Sequence, residues 1–504
     1  MATQKTPVVS TTLGKVSGII HRRAHAFLGI PYGASAAGEG RFSPPRPAKA
    51  WTGVFEANSP GPYCPQRLSD RAPAYATWTI PEKGSEDCLT LNVWSPKIRA
   101  GAGKPVMVWL HGGGLASGAG WQSFTDGAGL AANQDVVVVS VTHRLNVFGY
   151  LYLDDLPGKP FERSANLGQQ DLVLALQWVR DNIAQFGGDP SNVTIFGQSG
   201  GGTKVAGLME MPSATGLFHK AILQSGFGTI VQSPDAGAAF TLKLLAELGI
   251  PATKAAALRD VPDDRMVSAW FKAAGGNIIS GACIIPDGDI IPSLSIPGAI
   301  PERARTIPLI VGHTATETTA LFPPPGSFDY DRSQAAAALE RQWKGSSDWL
   351  NYCDKAHPDF TPSQCYFRMT TAATMGRNAR LLEDARANAP VATVHAYVVN
   401  WRTHVEGGKL GSPHAVEVPM VFDNVATSAP LYGDRIASAQ TLADRMSASW
   451  AAFARTGNPN VDGLARWEPY RSDARKVMIF DDECSFARSP FDGDLIQVEP
   501  YVAG

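Results

Sequence analysis

The 504-residue sequence lacks a strong excess of charge of either sign, since 44 lysines and arginines stand against 46 aspartates and glutamates. The net charge of -2 offers no general attraction to nucleic acid or to an anionic membrane. No apolar run approaches the ~18 residues of a membrane span, and the first ten residues lack the apolar core of a signal peptide. We therefore expect neither a nucleic-acid partner nor a membrane partner.

Cysteine is also scarce: the 6 cysteines are too few for a disulfide scaffold and lack the paired spacing of zinc sites. Cys64 with Cys88, and Cys353 with Cys365, are close enough in sequence to close small loops, which would suit an oxidising compartment. The pairing of the last two, and of Cys283 and Cys484, stays open. If such bonds form, we expect a cleaved leader and a secreted or periplasmic protein; otherwise we expect a cytoplasmic one.

Long apolar runs are absent, but short ones recur along the chain. Residues 105–110 and 135–141 are apolar in the manner of parallel strands covered on both faces. Residues 171–186 carry apolar side chains at helical spacing, and another apolar run begins at Val193. This alternation of strand and helix indicates a doubly wound α/β sheet.

The rest of the chain continues the same alternation without an internal repeat or a clear linker. We predict one domain over residues 1–504, with a mostly parallel central sheet and helices on both faces. The alanine-, leucine- and charge-rich stretches around 232–305 and 320–390 are predicted to be helical insertions over the active site.

The most informative stretch is SNVTIFGQSGGGTK, residues 191–204. A short β-branched run leads into a glycine-rich turn with Ser199 at its centre, which fits G-x-S-x-G. In that motif, a strained turn between strand and helix exposes a serine hydroxyl beside a backbone N–H. The sequence therefore predicts that Ser199 is a nucleophile.

The same glycines have the spacing of a phosphate-binding loop, which also lies between a strand and a helix. That loop needs lysine followed by serine or threonine, whereas Thr203 precedes Lys204 here. The order argues against a nucleotide site. A purely structural glycine-rich turn is the other alternative.

A second glycine run, His111 to Gly114, directly follows the strand predicted at 105–110. Glycines at such a place let the backbone approach a reacting atom and present unpaired N–H groups to it. A flexible loop is the alternative interpretation.

These motifs, with AFLGIPY at 26–32, EDCLTLNV at 86–93, FGGDP at 186–190 and QSG at 224–226, together resemble the type-B carboxylesterase/cholinesterase-like family of α/β-hydrolases. The resemblance runs over nearly the whole chain and implies the α/β-hydrolase fold. It also implies a set of site residues: a catalytic triad of Ser199, Glu317 and His414, an oxyanion hole from the N–H groups of Gly113, Gly114 and Gly200, and a disulfide between Cys64 and Cys88.

Reasoning from the residues supports the choice of base among the ten histidines. His395 lies inside an apolar run and is predicted to be a core residue, and His313 is predicted to be a neighbour of Glu317. His21 and His25 have metal-ligand spacing only for a helix, which their segment does not resemble. His414 lies in a polar loop that can carry an imidazole over the strand ends.

The sequence departs from the usual family pattern at several places near the site. Gln198 stands where glutamate is usual, Gly200 where alanine is usual, and Leu115 where an aromatic residue often follows the glycines; Thr316 and Thr318 flank the acid. Leu115 and Gln198 are candidate substrate-binding residues. Because Gln198 removes a negative charge beside the nucleophile, it should disfavour cationic alcohols and ease the entry of anionic esters.

We predict a serine carboxylesterase that hydrolyses small-molecule carboxylic esters through an acyl-enzyme, without a metal or organic cofactor, as a monomer or homodimer. An alternative is an esterase specialised for a bulky polycarboxylic or xenobiotic ester, such as a fumonisin-type mycotoxin or a phthalate. An alternative of another class is a non-catalytic cholinesterase-like binding module, which would keep the fold and lose the triad.

Overall fold

The computed structural model describes residues 4–68, 72–227, 230–277, 281–321, 323–389 and 391–502. The strands are β1 Val9–Ser10, β2 Lys15–Ser17, β3 Ile19–His21, β4 Ala24–Pro31, β5 Val54–Glu56, β6 Thr90–Ser95, β7 Lys104–Leu110, β8 Val137–Val141, β9 Gly188–Gln198, β10 Lys220–Gln224, β11 Leu309–Thr314, β12 Val394–Val399, β13 Lys476–Phe480 and β14 Ser485–Arg488.

The α-helices follow the strands along the chain. They are α1 Ala128–Gln134, α2 Asn146–Tyr150, α3 Leu167–Asn182, α4 Gly200–Glu210, α5 Pro234–Leu248, α6 Asp263–Ala273, α7 Arg332–Gln342, α8 Trp349–Ala356, α9 Pro362–Thr371, α10 Arg377–Ala387, α11 Val418–Val421, α12 Ala429–Tyr432, α13 Ile436–Thr456 and α14 Asp492–Val502. In the described part of the chain, no helix combines the length and apolarity that a membrane crossing requires.

Eleven strands form one sheet in the order β14-β13-β12-β11-β10-β9-β7-β8-β6-β4-β3. The seven strands from β13 to β8 run parallel, and the strands on both flanks are antiparallel. The remaining strands, β1, β2 and β5, form a small separate sheet. The predicted α/β-hydrolase architecture, a mostly parallel sheet with helices around it, is confirmed.

Both faces of the sheet are buried, as the apolar runs predicted. Along β7, Val106, Val108 and Leu110 belong to one core cluster, whereas Met107 and Trp109 belong to the other. Successive side chains of a strand point to opposite faces, so a strand that is covered on both sides must be apolar throughout.

The two predicted insertions contain helices α5 and α6, and α7 to α10. Residues 278–280, 322 and 390 of these stretches lie outside the described residues. In the second stretch, a disulfide joins Cys353 of α8 to Cys365 of α9, a pair that the sequence had left open.

The disulfide implied between Cys64 and Cys88 is not formed: both residues are free thiols. Each is fully buried. The backbone N–H of Leu145 donates to Cys64 Sγ at 3.3 Å, and a hydrogen bond with Cys64, together with burial, raises the pKa of the Cys88 thiol. The two sulfurs are therefore accommodated as hydrogen-bonded core thiols.

The parallel strands end at one edge of the sheet, and the predicted triad and the glycine run lie just beyond it. The glycine run follows β7, Ser199 follows β9, Glu317 follows β11 and His414 lies in the segment after β12. Because the carboxyl ends of parallel strands meet at the same edge, residues distant in sequence converge there.

Candidate active site

Ser199 lies in a sharp turn between β9 and α4. Its φ of 58° and ψ of -125° are strained for a residue with a side chain. The backbone holds this conformation because Ser199 N–H donates to the carbonyl of Gln224 at 2.8 Å, and Thr203 N–H donates to the Ser199 carbonyl at 3.1 Å. A Cβ on Gly226 would lie 1.9 Å from the Ser199 carbonyl oxygen, so only glycine fits beside the turn. The serine itself is half-buried.

Glu317 is fully buried at the carboxyl end of β11. Its Oε1 accepts hydrogen bonds from Thr314 N–H at 2.7 Å and from Ser225 Oγ at 2.5 Å, and its Oε2 contacts His414 Nδ1. Burial by itself raises the pKa of Glu317, but its electrostatic interaction and hydrogen bond with His414, together with the bond from Ser225, hold that pKa below its usual value. These contacts favour an ionised carboxylate.

His414 is 8% exposed and is fixed from two sides. Tyr75 Oη donates to its backbone carbonyl at 3.0 Å, and Thr316 pairs with Pro413 in an isolated bridge that joins its loop to that of Glu317. Because the carboxylate of Glu317 can only accept, Nδ1 carries the proton and Nε2 is left as an acceptor.

Gln198 lies directly against the imidazole of His414. The amide nitrogen of Gln198 is 3.0 Å from Nε2 and 3.3 Å from Nδ1. An atom in the ring plane at both distances would overlap a ring carbon, so the amide lies over the face of the ring. Among the hydrogen bonds of the described residues, none joins Ser199 Oγ to His414. The in-plane lone pair of Nε2 remains available.

Gly113 and Gly114 adopt positive φ values of 88° and 63°, which favour glycine. Their loop lies against the serine, because a Cβ on Gly112 would be 3.5 Å from Ser199 Cβ and one on Gly200 would be 2.0 Å from the Gly114 carbonyl oxygen. Within the described structure, the N–H groups of Gly113, Gly114 and Gly200 donate to no protein acceptor. Three unpaired donors thus lie around the turn that carries Ser199.

Other candidate residues are placed elsewhere. Leu115 is 1% exposed and packs in the core cluster rather than facing an open cavity. His395 is buried in β12, where burial lowers its pKa to about 4, and His313 is a buried neighbour of Glu317 that bonds the Thr314 carbonyl. Lys204 is fully buried and donates to the His111 carbonyl, so it is not presented to a phosphate.

Sequence reasoning missed three side chains around the acid and base. Ser225 stands in the QSG motif, which carried the resemblance without a role. Tyr75, which supports the His414 loop, had no local signal. Glu417 is fully buried three residues after His414. Burial raises its pKa to about 7, and its Oε2 has no hydrogen-bond partner in the part of the chain that the structure describes. The described residues contain no cluster of three or more side chains suited to a metal ion.

Known carboxylesterases match this chain over nearly its whole length. The family model described as "Carboxylesterase family" matches residues 5–494. The chain is 33% identical to the para-nitrobenzyl esterase of Bacillus subtilis (strain 168), over 96% of each chain. It is 31% identical to the fumonisin B1 esterase of Sphingopyxis macrogoltabida, over 94% of this chain and 86% of that one. The crystal structure of a Geobacillus stearothermophilus carboxylesterase at pH 6.2 superposes with a TM-score of 0.85 and 32% identity, covering 98% of this chain and 100% of that one.

Proposed function

The chain belongs to the carboxylesterase family and is a carboxylic ester hydrolase, and from this premise we propose that it acts as a serine esterase with Ser199 as nucleophile, His414 as base and Glu317 as the acid that orients it. The observation that carries the proposal is the contact between Glu317 and His414 at the strand edge where Ser199 occupies its strained turn.

In the first half of the reaction, His414 Nε2 takes the proton of Ser199 as the serine oxygen attacks the ester carbonyl. The resulting oxyanion accepts hydrogen bonds from the unpaired amides of Gly113, Gly114 and Gly200. His414 then returns the proton to the leaving alcohol, and an acyl-serine remains. Losing one donor of such a set costs about 3 kcal/mol of barrier.

In the second half, a water molecule attacks the acyl-serine with the same base and the same amides. Its proton passes to His414 and then to the serine oxygen as the acid product leaves. Glu317 holds the Nδ1 proton throughout and stabilises the imidazolium that forms twice per turnover. No step in this sequence calls for a metal or an organic cofactor.

The test compares p-nitrophenyl acetate and butyrate hydrolysis by the native protein, by Ser199→Ala and by Ser213→Ala. Ser213 is exposed and lies outside the site, so it controls for the loss of a serine hydroxyl. We expect a burst and turnover in the native protein and in Ser213→Ala, and neither in Ser199→Ala. Equal activity in all three would remove Ser199 from the mechanism.

A serine-directed organophosphate separates the enzyme from the binding-module alternative. The enzyme should be inactivated with one equivalent bound per chain at Ser199, which peptide mass spectrometry would locate. A folded native protein that neither reacts nor turns over would favour the binding module.

A more specific proposal is that the substrate is a bulky or acid-bearing ester. Gln198 is 4% exposed and places an uncharged amide beside His414, so the position next to the nucleophile does not repel an anion. A charge added about 8 Å from a substrate carboxylate would cost about 2 kcal/mol at an effective dielectric constant of about 20. The likeness to a fumonisin B1 esterase supports the same substrate class.

The test measures kcat/KM for a neutral ester and for its carboxylate analogue in the native protein and in Gln198→Glu. We expect the native protein to accept both and the variant to lose about thirtyfold on the anion relative to the neutral ester. Strong rejection of the anion by the native protein would refute this substrate class while leaving the serine mechanism untouched.

A further inference from the structure

Lys204 is an unusual residue for the place it occupies. It lies on α4 five residues after Ser199 and is fully buried. Lysine is almost never buried without a partner. Among the described residues it forms no ion pair, and its Nζ donates to the backbone carbonyl of His111 at 2.8 Å. The location of that carbonyl suggests what the lysine does.

The acceptor belongs to the segment that carries the glycine loop. His111 directly follows β7 and precedes Gly112, so its carbonyl is part of the first peptide unit of the loop. The side chain of Lys204 reaches back along α4 because helical side chains point toward the helix N-terminus. Gly201 leaves the space for this approach, since a Cβ there would lie 2.0 Å from the Leu110 carbonyl and 3.1 Å from that of His111.

Two further acceptors lie near the amine. The ring Nδ1 atoms of His111 and His143 contact the carbonyls of Gly112 and Arg144, both at 2.8 Å, so each Nδ1 donates and each Nε2 is an acceptor. Both Nε2 atoms are buried and have no hydrogen-bond partner among the described residues, and the two rings stack with centroids 4.9 Å apart.

The charge of the lysine acts on both rings. Burial lowers the pKa of His111 and His143, and the positive potential of Lys204 lowers both further. Burial lowers the pKa of Lys204 itself. An amine donates hydrogen bonds in both of its protonation states, so its bond to the His111 carbonyl does not depend on which state is present.

We propose that Lys204 is a positioning residue of the active site: its buried amine anchors the His111 carbonyl to α4 and thereby fixes the amides of Gly113 and Gly114 over Ser199. The serine and the lysine share one helix and its turn, so this bond ties the donors of the glycine loop to the same rigid element as the nucleophile. The inference rests on the proposed function, in which those amides hold the oxyanion.

Loss of the anchor should affect the transition state more than the bound ester. A displacement of about 1 Å in a preorganised site costs on the order of a hundredfold in rate, whereas the ester is bound mainly by other contacts in the ground state. The expected signature is a fall in kcat with little change in KM.

The experiment compares Lys204→Met with Lys220→Met in the full chain. Lys220 is a second buried lysine, and its amine donates a hydrogen bond to Asn192. It lies at the amino-terminal end of β10, whereas the site lies beyond the carboxyl ends of the strands, so the same substitution there controls for the loss of a buried amine. The amplitude of the p-nitrophenol burst counts active sites. The probe is a trifluoromethyl ketone, which forms a hemiketal oxyanion with an active serine.

For Lys204→Met we expect a native burst amplitude, a fall in kcat per active site of about 10- to 100-fold, and a KM within about threefold of native. The inhibition constant of the trifluoromethyl ketone should rise by the same factor as kcat falls. Lys220→Met should stay within about twofold on every measure, because its lysine is far from the glycine loop.

Unchanged kcat and unchanged ketone affinity in Lys204→Met would overturn the proposal, as would equal losses in Lys220→Met. Lys204→Gln, which keeps a shorter N–H donor, is measured beside it and should show a smaller loss on both measures. If neither Lys204 variant folds while Lys220→Met does, the amine serves the core and the proposal is wrong. Turnover that survives unchanged in Ser199→Ala would instead refute the serine mechanism.

Discussion

Gly200 has no room for a side chain in this structure, although alanine is usual at this position in the family. A Cβ there would lie 2.0 Å from the carbonyl oxygen of Gly114 and 2.4 Å from its carbonyl carbon. Both atoms are backbone, so a rotamer change cannot relieve the overlap. Gly200→Ala must therefore move the glycine loop away from the turn that carries Ser199, or move the turn itself.

The size of that movement sets the expected effect. Carbon to carbonyl-oxygen contacts begin at about 3.3 Å, so the loop must shift by about 1 Å or more. A displacement of that size at a catalytic site costs on the order of a hundredfold in rate, which corresponds to about 2.7 kcal/mol of barrier. Replacing glycine by alanine in a helix stabilises it by up to about 1 kcal/mol, so the fold should survive.

The assay is p-nitrophenyl butyrate hydrolysis, with active sites counted by burst amplitude. We expect Gly200→Ala to keep the burst and lose about a hundredfold in kcat/KM, while Gly298→Ala stays at the native value. Gly298 is exposed, and among the described residues a Cβ there would meet only the Ser295 carbonyl, at 3.7 Å. Native activity in Gly200→Ala would show that the loop relaxes freely and that its observed position does not set the rate.

Three further changes test the surroundings of the acid and the stability of the fold. Ser225→Ala removes a hydrogen bond that lowers the pKa of Glu317, so that pKa should rise and the acid limb of kcat/KM should move to higher pH. Cys353→Ser opens a loop of 12 residues closed by Cys365 and should cost about 3 kcal/mol of unfolding free energy in a urea titration. Burial raises the pKa of Glu417 from its usual 4.5 to about 7, so the native protein should lose stability as pH rises between these values. Glu417→Gln should gain up to about 3 kcal/mol over it by pH 8, measured by urea unfolding at pH 4 and pH 8.

Each of these changes has a control or a contrary outcome. Ser449→Ala removes a buried serine whose hydroxyl has no hydrogen-bond partner within the described structure, and it should leave the acid limb in place. Cys484→Ser, at a free thiol, should leave the unfolding free energy near the native value. A pH profile of stability that is the same for Glu417→Gln and the native protein would show that this carboxyl does not titrate in that range.

The fold could be predicted from the sequence because its signals are local. An apolar run such as Val106 to Leu110 must lie between two covered faces, and the glycines around Ser199 permit one sharp turn between strand and helix. The candidate triad was implied by the resemblance of its motifs to those of the carboxylesterase family. The convergence of Glu317 and His414 follows from the parallel strands, whose ends meet at one edge.

The supporting residues were not predictable, because their partners are distant in sequence. Ser225 is 92 residues from Glu317 and Tyr75 is 339 residues from His414. The resemblance implied a disulfide between Cys64 and Cys88, whereas the structure has both as buried free thiols.

The sequence by itself determined which backbone segments could form strands, helices and sharp turns, since each depends on the conformational freedom and polarity of adjacent residues. Only the tertiary structure decided which groups of different strands, helices and loops come into contact. It placed the amide of Gln198 over the imidazole of His414, the amine of Lys204 under the glycine loop and the carbonyl of Gly114 where a side chain of residue 200 would stand. Those distances depend on how whole elements pack, which no local pattern encodes.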